Sequence, residues 1–118
     1  KMIDVAHGNP AWKVVDHLAH KDRGWRLMAY AFVYARPDFA VFSPLVASAC
    51  DFTDENKPFG QYWSILAIER VLGVRGKVTV SRRDAEKLEA LHRWLTPGTD
   101  RSEEMRRVMA MIRGGTQA

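Results

Sequence analysis

Four histidines and a single cysteine are the side chains of this chain best suited to bind a metal ion or attack a substrate. His17 and His20 lie one turn apart on a predicted helix, whereas His7 and His92 lie in separate segments. A tetrahedral zinc site needs three or four ligands, and no second cluster of His or Cys accompanies the first pair. The pattern therefore predicts no metal site.

Cys50 stands beside Ala49 in an apolar stretch. A lone cysteine excludes a disulfide within the chain and is typical of a reducing compartment. Because a catalytic thiolate needs a neighbouring base that the sequence does not identify, we interpret Cys50 as a small buried side chain. Residues 73–76 lack the Lys-Ser/Thr ending of a phosphate-binding loop, and no Gly-x-Ser-x-Gly elbow occurs. We therefore predict a protein that is not an enzyme and holds no cofactor.

A group of basic residues follows Gly73 in a chain whose formal net charge is +4. It runs from an extended segment into the start of a helix, where backbone N–H groups already favour anions. We call this group the basic segment, and its members are Arg75, Lys77, Arg82 and Arg83. Such a segment suits nucleic-acid phosphates or an acidic partner peptide. In the alternative interpretation these side chains are solvated, with Asp84 and Glu86 as neutralising neighbours.

Aromatic residues predict a second kind of site, a docking groove for a protein. The four Trp and three Tyr residues are too many for all to be fully buried in so small a domain, and both types are preferred anchors at protein interfaces. Most of them should lie in the core. One or two that remain exposed on the concave side of a helical stack would form the groove, and Tyr62 and Trp63 are the candidates.

Two predicted helices, residues 25–35 and 62–72, are apolar almost all the way round. A helix without a polar face has to be enclosed by other helices. We therefore expect these two helices at the centre of a layered helical stack. Each follows a shorter helical candidate and a break, so the chain reads as repeated helix pairs.

Helix boundaries in the first half are set by prolines and acidic caps. Pro10 suits the first position of the first helix, and Asp22 and Asp38 are the predicted caps of the second and third. Pro37 ends the second helix because it disfavours helical angles in the residue before it. Pro44 implies either a kink in the third helix or a start delayed to about Ser43, since an interior proline costs about 3 kcal/mol.

In the second half, a helix is predicted from Pro58 to a glycine terminator at Gly73. Residues 74–80 alternate apolar and polar side chains, and we interpret them as an extended connection, because one strand alone cannot satisfy its backbone. Ser81 is the predicted cap of the next helix, and Thr99 or Asp100 caps the last one. That last helix should end before a mobile tail at 114–118.

The helix pairs resemble HEAT repeats. The likeness rests on residues 14–35 and 42–72, on a spacing of about 36 residues that places Ala31 and Ala67 at matching positions, and on an Asp, Arg and Ala pattern. Asp22, Arg26 and Ala29 would fill those three roles. The resemblance implies an all-α right-handed stack of about five to six antiparallel helices, with two HEAT-like pairs over 9–73 and a C-terminal pair over 81–113.

Residues 95–101 are also similar to a helix start found in small helical modules of bacterial multidomain signalling and defence proteins. Both likenesses imply a non-catalytic adaptor within a larger protein, acting through a protein partner or self-association. The runner-up function is nucleic-acid binding through the basic segment. A composition that is 47% hydrophobic supports one domain over 1–118. The longest apolar run, 27–35, is far shorter than the about 18 residues needed to cross a bilayer, so we expect a cytoplasmic protein without a membrane segment.

Overall fold

The computed structural model describes residues 10–20, 22–51, 58–75 and 80–117. Within these ranges the backbone is helical and contains no strand, which confirms the all-α prediction. A 3-10 turn at Phe39–Val41 leads into the third of the helices. The helices, in chain order, are α1 (Pro10–Leu18), α2 (Arg23–Ala35), α3 (Phe42–Ala49), α4 (Pro58–Arg75), α5 (Arg82–Trp94) and α6 (Asp100–Gln117).

Side-chain caps start three of the helices as their sequences predict. Asp22 Oδ1 accepts the backbone N–H of Gly24 at 2.7 Å at the start of α2. Ser81 Oγ accepts the backbone N–H of Asp84 at 3.1 Å at the start of α5. Thr99 Oγ1 accepts the backbone N–H of Ser102 at 3.2 Å at the start of α6. Thr99 is therefore the cap of α6, and Asp100 is its first helical residue. Each cap satisfies backbone donors that have no partner inside the helix.

Pro44 is accommodated by a late start of α3. The helix begins at Phe42, so Pro44 lies in the first turn, where its missing N–H is not needed. Asp38 caps the preceding 3-10 turn through the N–H of Ala40 at 2.9 Å. Of the two predicted outcomes, the delayed start is confirmed.

Two predicted helix ends are wrong, and both involve glycine. Helix α4 continues through Gly73 to Arg75, so Val74 and Arg75 are helical rather than extended. The rest of the predicted connection, 76–79, lies outside the described residues. Helix α6 continues through Gly114 and Gly115 to Gln117, where the sequence predicts a mobile tail. A glycine costs a helix only about 1 kcal/mol relative to alanine, which is too little to end one by itself.

The helices pack in two layers. In one layer α2, α4 and α6 lie side by side in that order and make the most extensive contacts in the fold. In the other layer α1, α3 and α5 lie in the same order, each packed against the next helix of the chain in the first layer. Helix α4 therefore contacts α2, α3 and α6. The predicted enclosure of residues 62–72 holds on the sides that meet these helices, where Ile65, Ile68 and Leu72 are buried, whereas Tyr62 and Trp63 are half-buried and Arg70 is exposed.

Helix α2 does not lie at the centre of the stack. It forms one edge of its layer and leaves large apolar side chains exposed, so the prediction that residues 25–35 are enclosed is wrong. Ala31 is exposed although Ala67, at the matching position of α4, is buried. The reason is that α4 has a neighbour on both sides in its layer, whereas α2 has one on a single side among the described residues. None of the helices in the described ranges is long and apolar enough to span a bilayer.

Candidate protein-interaction face

One side of α2 carries an uncovered apolar surface, which we call the α2 face. Its largest members are Trp25, Met28 and Phe32, whose residues are 42%, 60% and 38% exposed. The small residues Ala31 and Ala35 lie on the same side and are also exposed. Side chains three and four positions apart share one face of a helix, so these five residues form a continuous stripe.

Buried polar contacts on the opposite side of α2 hold the helix in place. Arg26 donates from Nε to the carbonyl oxygen of His20 at 2.5 Å and pairs through Nη2 with Asp51 at 2.7 Å. Its side chain is only 10% exposed. One guanidinium thus joins the end of α1, the body of α2 and the chain after α3. The contacts of Arg26 therefore hold α2 in place on the side opposite the α2 face.

A second buried contact lies one turn further along α2. The Tyr30 hydroxyl and Ser48 Oγ are 2.6 Å apart and hydrogen-bonded. Burial raises the pKa of the Tyr30 phenol, although the bond to Ser48 and the charge of Arg26 oppose this effect. The phenol is therefore neutral and works as a structural link between α2 and α3. Ala29 is buried beside it, so the residues of the Asp, Arg and Ala pattern cap, anchor and pack α2.

The ends of the α2 face are flanked by rings and charges. His17 from α1 lies against Trp25 with ring centroids 4.7 Å apart, and His20 lies 6.1 Å from the same ring. At the other end, the Arg36 guanidinium lies over the Phe32 ring at 5.9 Å, within the range of a cation–π interaction. The two histidines predicted one turn apart thus support an aromatic side chain.

Tyr62 and Trp63, the predicted docking pair, are both half-buried. Trp63 packs against the core and meets the exposed Tyr34 edge-on, with centroids 5.7 Å apart. Arg70 covers the Tyr34 ring at 5.4 Å and donates to the Tyr34 carbonyl oxygen at 3.1 Å. Trp63 is therefore part of the contact between α2 and α4, and Tyr34 is the more exposed aromatic of this group.

The basic segment is described in part. Arg82 and Arg83 are exposed in the first turn of α5, and within the described ranges neither forms an ion pair. Lys77 and the side chain of Arg75 lie outside what the structure describes. Asp84, a predicted neutralising neighbour, is buried and accepts a hydrogen bond from Ser43 Oγ at 2.6 Å. Its carboxylate is therefore directed to α3 and not to the arginines.

The remaining candidates for chemistry are the Cys50 thiol and the possible metal ligands. Cys50 Sγ lies 3.4 Å from the carbonyl oxygen of Lys87, and burial raises the pKa of the thiol to about 11. It is thus protonated at neutral pH and is a poor nucleophile. In the part of the chain that the structure describes, His, Cys, Asp and Glu side chains nowhere gather in threes around a possible metal position.

A buried carboxyl group lies where α6 packs on α4. Glu104 is only 2% exposed, and its Oε1 accepts a bond from Arg107. The carboxyl of Glu69 on α4 lies within hydrogen-bonding reach of it. Burial, the hydrogen bond to Glu69 and the charge of Glu69 together raise the pKa of Glu104 to about 7. An open cavity of about 370 Å³ adjoins Glu69 and Arg70. No pattern in the sequence predicts that Glu69 and Glu104 lie together.

Comparison with known proteins adds no relative: no family model, curated protein or solved structure matches this chain. Among the described residues, the α2 face places three exposed large apolar side chains on one side of a single helix. The signal in the sequence was the apolar character of residues 25–35, and it was interpreted as a sign of burial.

Proposed function

We propose that this chain is a non-catalytic protein–protein recognition module and that the α2 face is its docking site. The observation that carries the proposal is the exposure of Trp25, Met28 and Phe32 in one stripe. Isolated apolar residues are common on protein surfaces, but a contiguous stripe of large ones is typical of an interaction site. Trp and Met are also enriched at the centres of protein interfaces.

The layered packing supports the same proposal. A HEAT-like right-handed stack of antiparallel helix pairs would present the flank of its edge helix to whatever packs next to it. Helix α2 is such an edge helix, and its apolar stripe resembles the flank of a helix that has lost a neighbour. In this proposal the neighbour is a protein partner, and the module couples that partner to the other parts of a signalling or defence protein.

Polar substitution of the α2 face tests this function. We expect the triple variant Trp25→Gln, Met28→Gln and Phe32→Gln to stay folded and helical, with a lower thermal midpoint because the rings of Trp25 and Phe32 lose their contacts with His17 and Arg36. Protein association should weaken at least tenfold, which corresponds to about 1.4 kcal/mol. The measurements are light scattering after size exclusion and quantitative capture from nuclease-treated lysate of the source organism.

The matched control carries Phe59→Gln and Val74→Gln, which replace two other exposed apolar residues on α4. It should associate as the parent chain does. If the folded parent forms no self-complex and captures no specific protein, or if the triple variant associates as well as the control, the proposal is wrong.

The exposure of Arg82 and Arg83 favours a second candidate function, nucleic-acid binding through the basic segment. Phosphate contacts without base readout would make the affinity fall steeply with salt. Replacing Arg75, Lys77, Arg82 and Arg83 together by Ser should leave the thermal midpoint nearly unchanged, because Arg82 and Arg83 are exposed and form no ion pair within the described ranges. Titration of a labelled duplex and a labelled single strand at about 50 mM salt gives the comparison.

A tenfold or greater loss of affinity in the serine variant would support nucleic-acid binding. No binding by the parent at that salt concentration excludes it. Unfolding of the variant would instead mean that these side chains contribute to the stability of the fold.

A further inference from the structure

The spacing of the α2 face fits another helix rather than an extended peptide. Trp25, Met28, Phe32 and Ala35 follow one another at steps of three, four and three residues, which is the spacing of the apolar seam in a coiled coil. Such a seam is a narrow stripe along the helix, and the side chains of a facing helix pack between the side chains of the seam. Ala35, at the end of the seam, is small and leaves room for a larger side chain of the facing helix, and Ala31 is small near the middle of the seam.

The seam is complementary to itself when two copies run antiparallel. In that arrangement Trp25 of one copy faces Ala35 of the other, and Met28 faces Phe32. A large side chain thus meets a small one at each end, and two medium-sized ones meet in the middle. A parallel arrangement would instead place Trp25 against Trp25 and Ala35 against Ala35, which overfills one end and leaves the other empty.

Charge at the ends of α2 favours the same orientation. Asp22 is exposed at the start of the helix and Arg36 is exposed just after its end. Antiparallel copies bring Asp22 of one near Arg36 of the other at both ends of the seam. The two helix dipoles also oppose each other, so each negative C-terminal end lies beside a positive N-terminal end. A parallel pair would place like charges together.

We propose that the partner docked on the α2 face is a second copy of this chain, which packs its own α2 antiparallel across a two-fold axis. This inference rests on the proposed function and names the partner of the same site. The contact is isologous, so the same residues of both copies fill it. One helix face is smaller than the about 800 Å² per partner of a standard interface, and the dimer is therefore weak and reversible.

Sedimentation equilibrium of the full chain over micromolar to millimolar concentration tests the dimer. We expect the mass to rise from that of the monomer toward twice that value. Met28→Glu places a charge in the middle of the seam of both copies and should weaken dimerisation at least tenfold. Val74→Glu introduces the same charge at an equally exposed apolar position on α4 and should leave dimerisation unchanged.

Cross-linking distinguishes the orientation. Both variants are made in a Cys50→Ser background. Ala31→Cys places the two thiols of the dimer close together near the proposed two-fold axis. Ala35→Cys places the two thiols about ten residues apart, or about 15 Å along the helix. A short thiol cross-linker should join the Ala31→Cys chains much faster than the Ala35→Cys chains. Equal rates, or a faster rate for Ala35→Cys, would contradict the antiparallel seam.

A chain that stays monomeric at the highest concentration, while circular dichroism shows it folded, overturns the proposal of a second copy. If that monomer still captures a protein from lysate through Trp25, Met28 and Phe32, the proposed function stands and its partner is a different protein. If it captures none, both proposals fail. Dimerisation that Met28→Glu leaves unchanged would also overturn the seam as the contact.

Discussion

Replacing Arg26 by Ala is expected to lower the free energy of unfolding by about 2 to 4 kcal/mol. The substitution removes the ion pair with Asp51 and the hydrogen bond to the His20 carbonyl oxygen. It takes one charged partner from a carboxylate that is only 24% exposed, and loss of one member of a nearly buried pair is strongly destabilising. Urea unfolding followed by circular dichroism gives the value, with the slope checked for two-state behaviour.

A matched control separates this effect from the general loss of an arginine. Arg93 pairs with Glu89 at 3.4 Å on the surface of α5, and its side chain is 69% exposed. Arg93→Ala should cost less than about 0.5 kcal/mol. In an Asp51→Asn background, Arg26→Ala should cost at least about 1 kcal/mol less than in the parent chain, because the two residues interact directly. If Arg26→Ala and Arg93→Ala lower the free energy of unfolding by the same amount within error, the buried pair contributes nothing to stability.

Ionisation of Glu104 is expected to lower the stability of this protein as the pH rises from about 4.5 to about 7. Glu104 has its pKa raised to about 7 in the folded chain, above its ordinary value of 4.5. The folded state therefore holds a proton that the unfolded state has released across this range. The stabilisation is complete below the lower value, is lost as the pH passes the higher one, and amounts to about 2 to 3 kcal/mol.

Glu104→Gln mimics the protonated carboxyl at every pH. We expect it to match the parent near pH 4.5 and to exceed the parent by about 2 kcal/mol at pH 8, measured by urea unfolding at both values. Glu89→Gln, on the exposed face of α5, should follow the parent at both pH values within about 0.5 kcal/mol. Parallel stability curves for Glu104→Gln and the parent would contradict a proton shared between α4 and α6.

The starts of several helices could be predicted from the sequence because one residue type satisfies one requirement of the backbone there. Asp22, Ser81 and Thr99 cap their helices because a short polar side chain is the simplest partner for unpaired N–H groups. Pro44 fixed the start of α3 because proline is tolerated in the first turn and not beyond it. The same reasoning failed at Gly73, where Met111 of α6 lies close to the helix and packing outweighs a weak propensity.

The candidate site was harder to predict because exposure is a property of the whole fold. Residues 25–35 and 62–72 have similar apolar composition, yet one helix lies at an edge and the other between two neighbours. Periodicity reports that a side chain needs an apolar environment, and it does not report whether this chain provides one. The Glu69 and Glu104 pair was missed for the same reason, since the two residues are far apart in sequence and meet only when α6 packs on α4.

The position of α4 between α2 and α6 also determines which helices of this layer can open independently. Among the described residues α2 and α6 share no extensive contact, so within their layer the two edge helices are coupled through α4, and the longer path between them runs through α1, α3 and α5. In such a nearest-neighbour array, local opening of one edge does not require opening of the other. Docking on α2 would therefore slow amide exchange in α2 and α4 first, while α6 keeps its own proton-dependent opening equilibrium. The proposed association would then act at one edge of the layer and protonation of Glu104 at the other, with α4 packed between them.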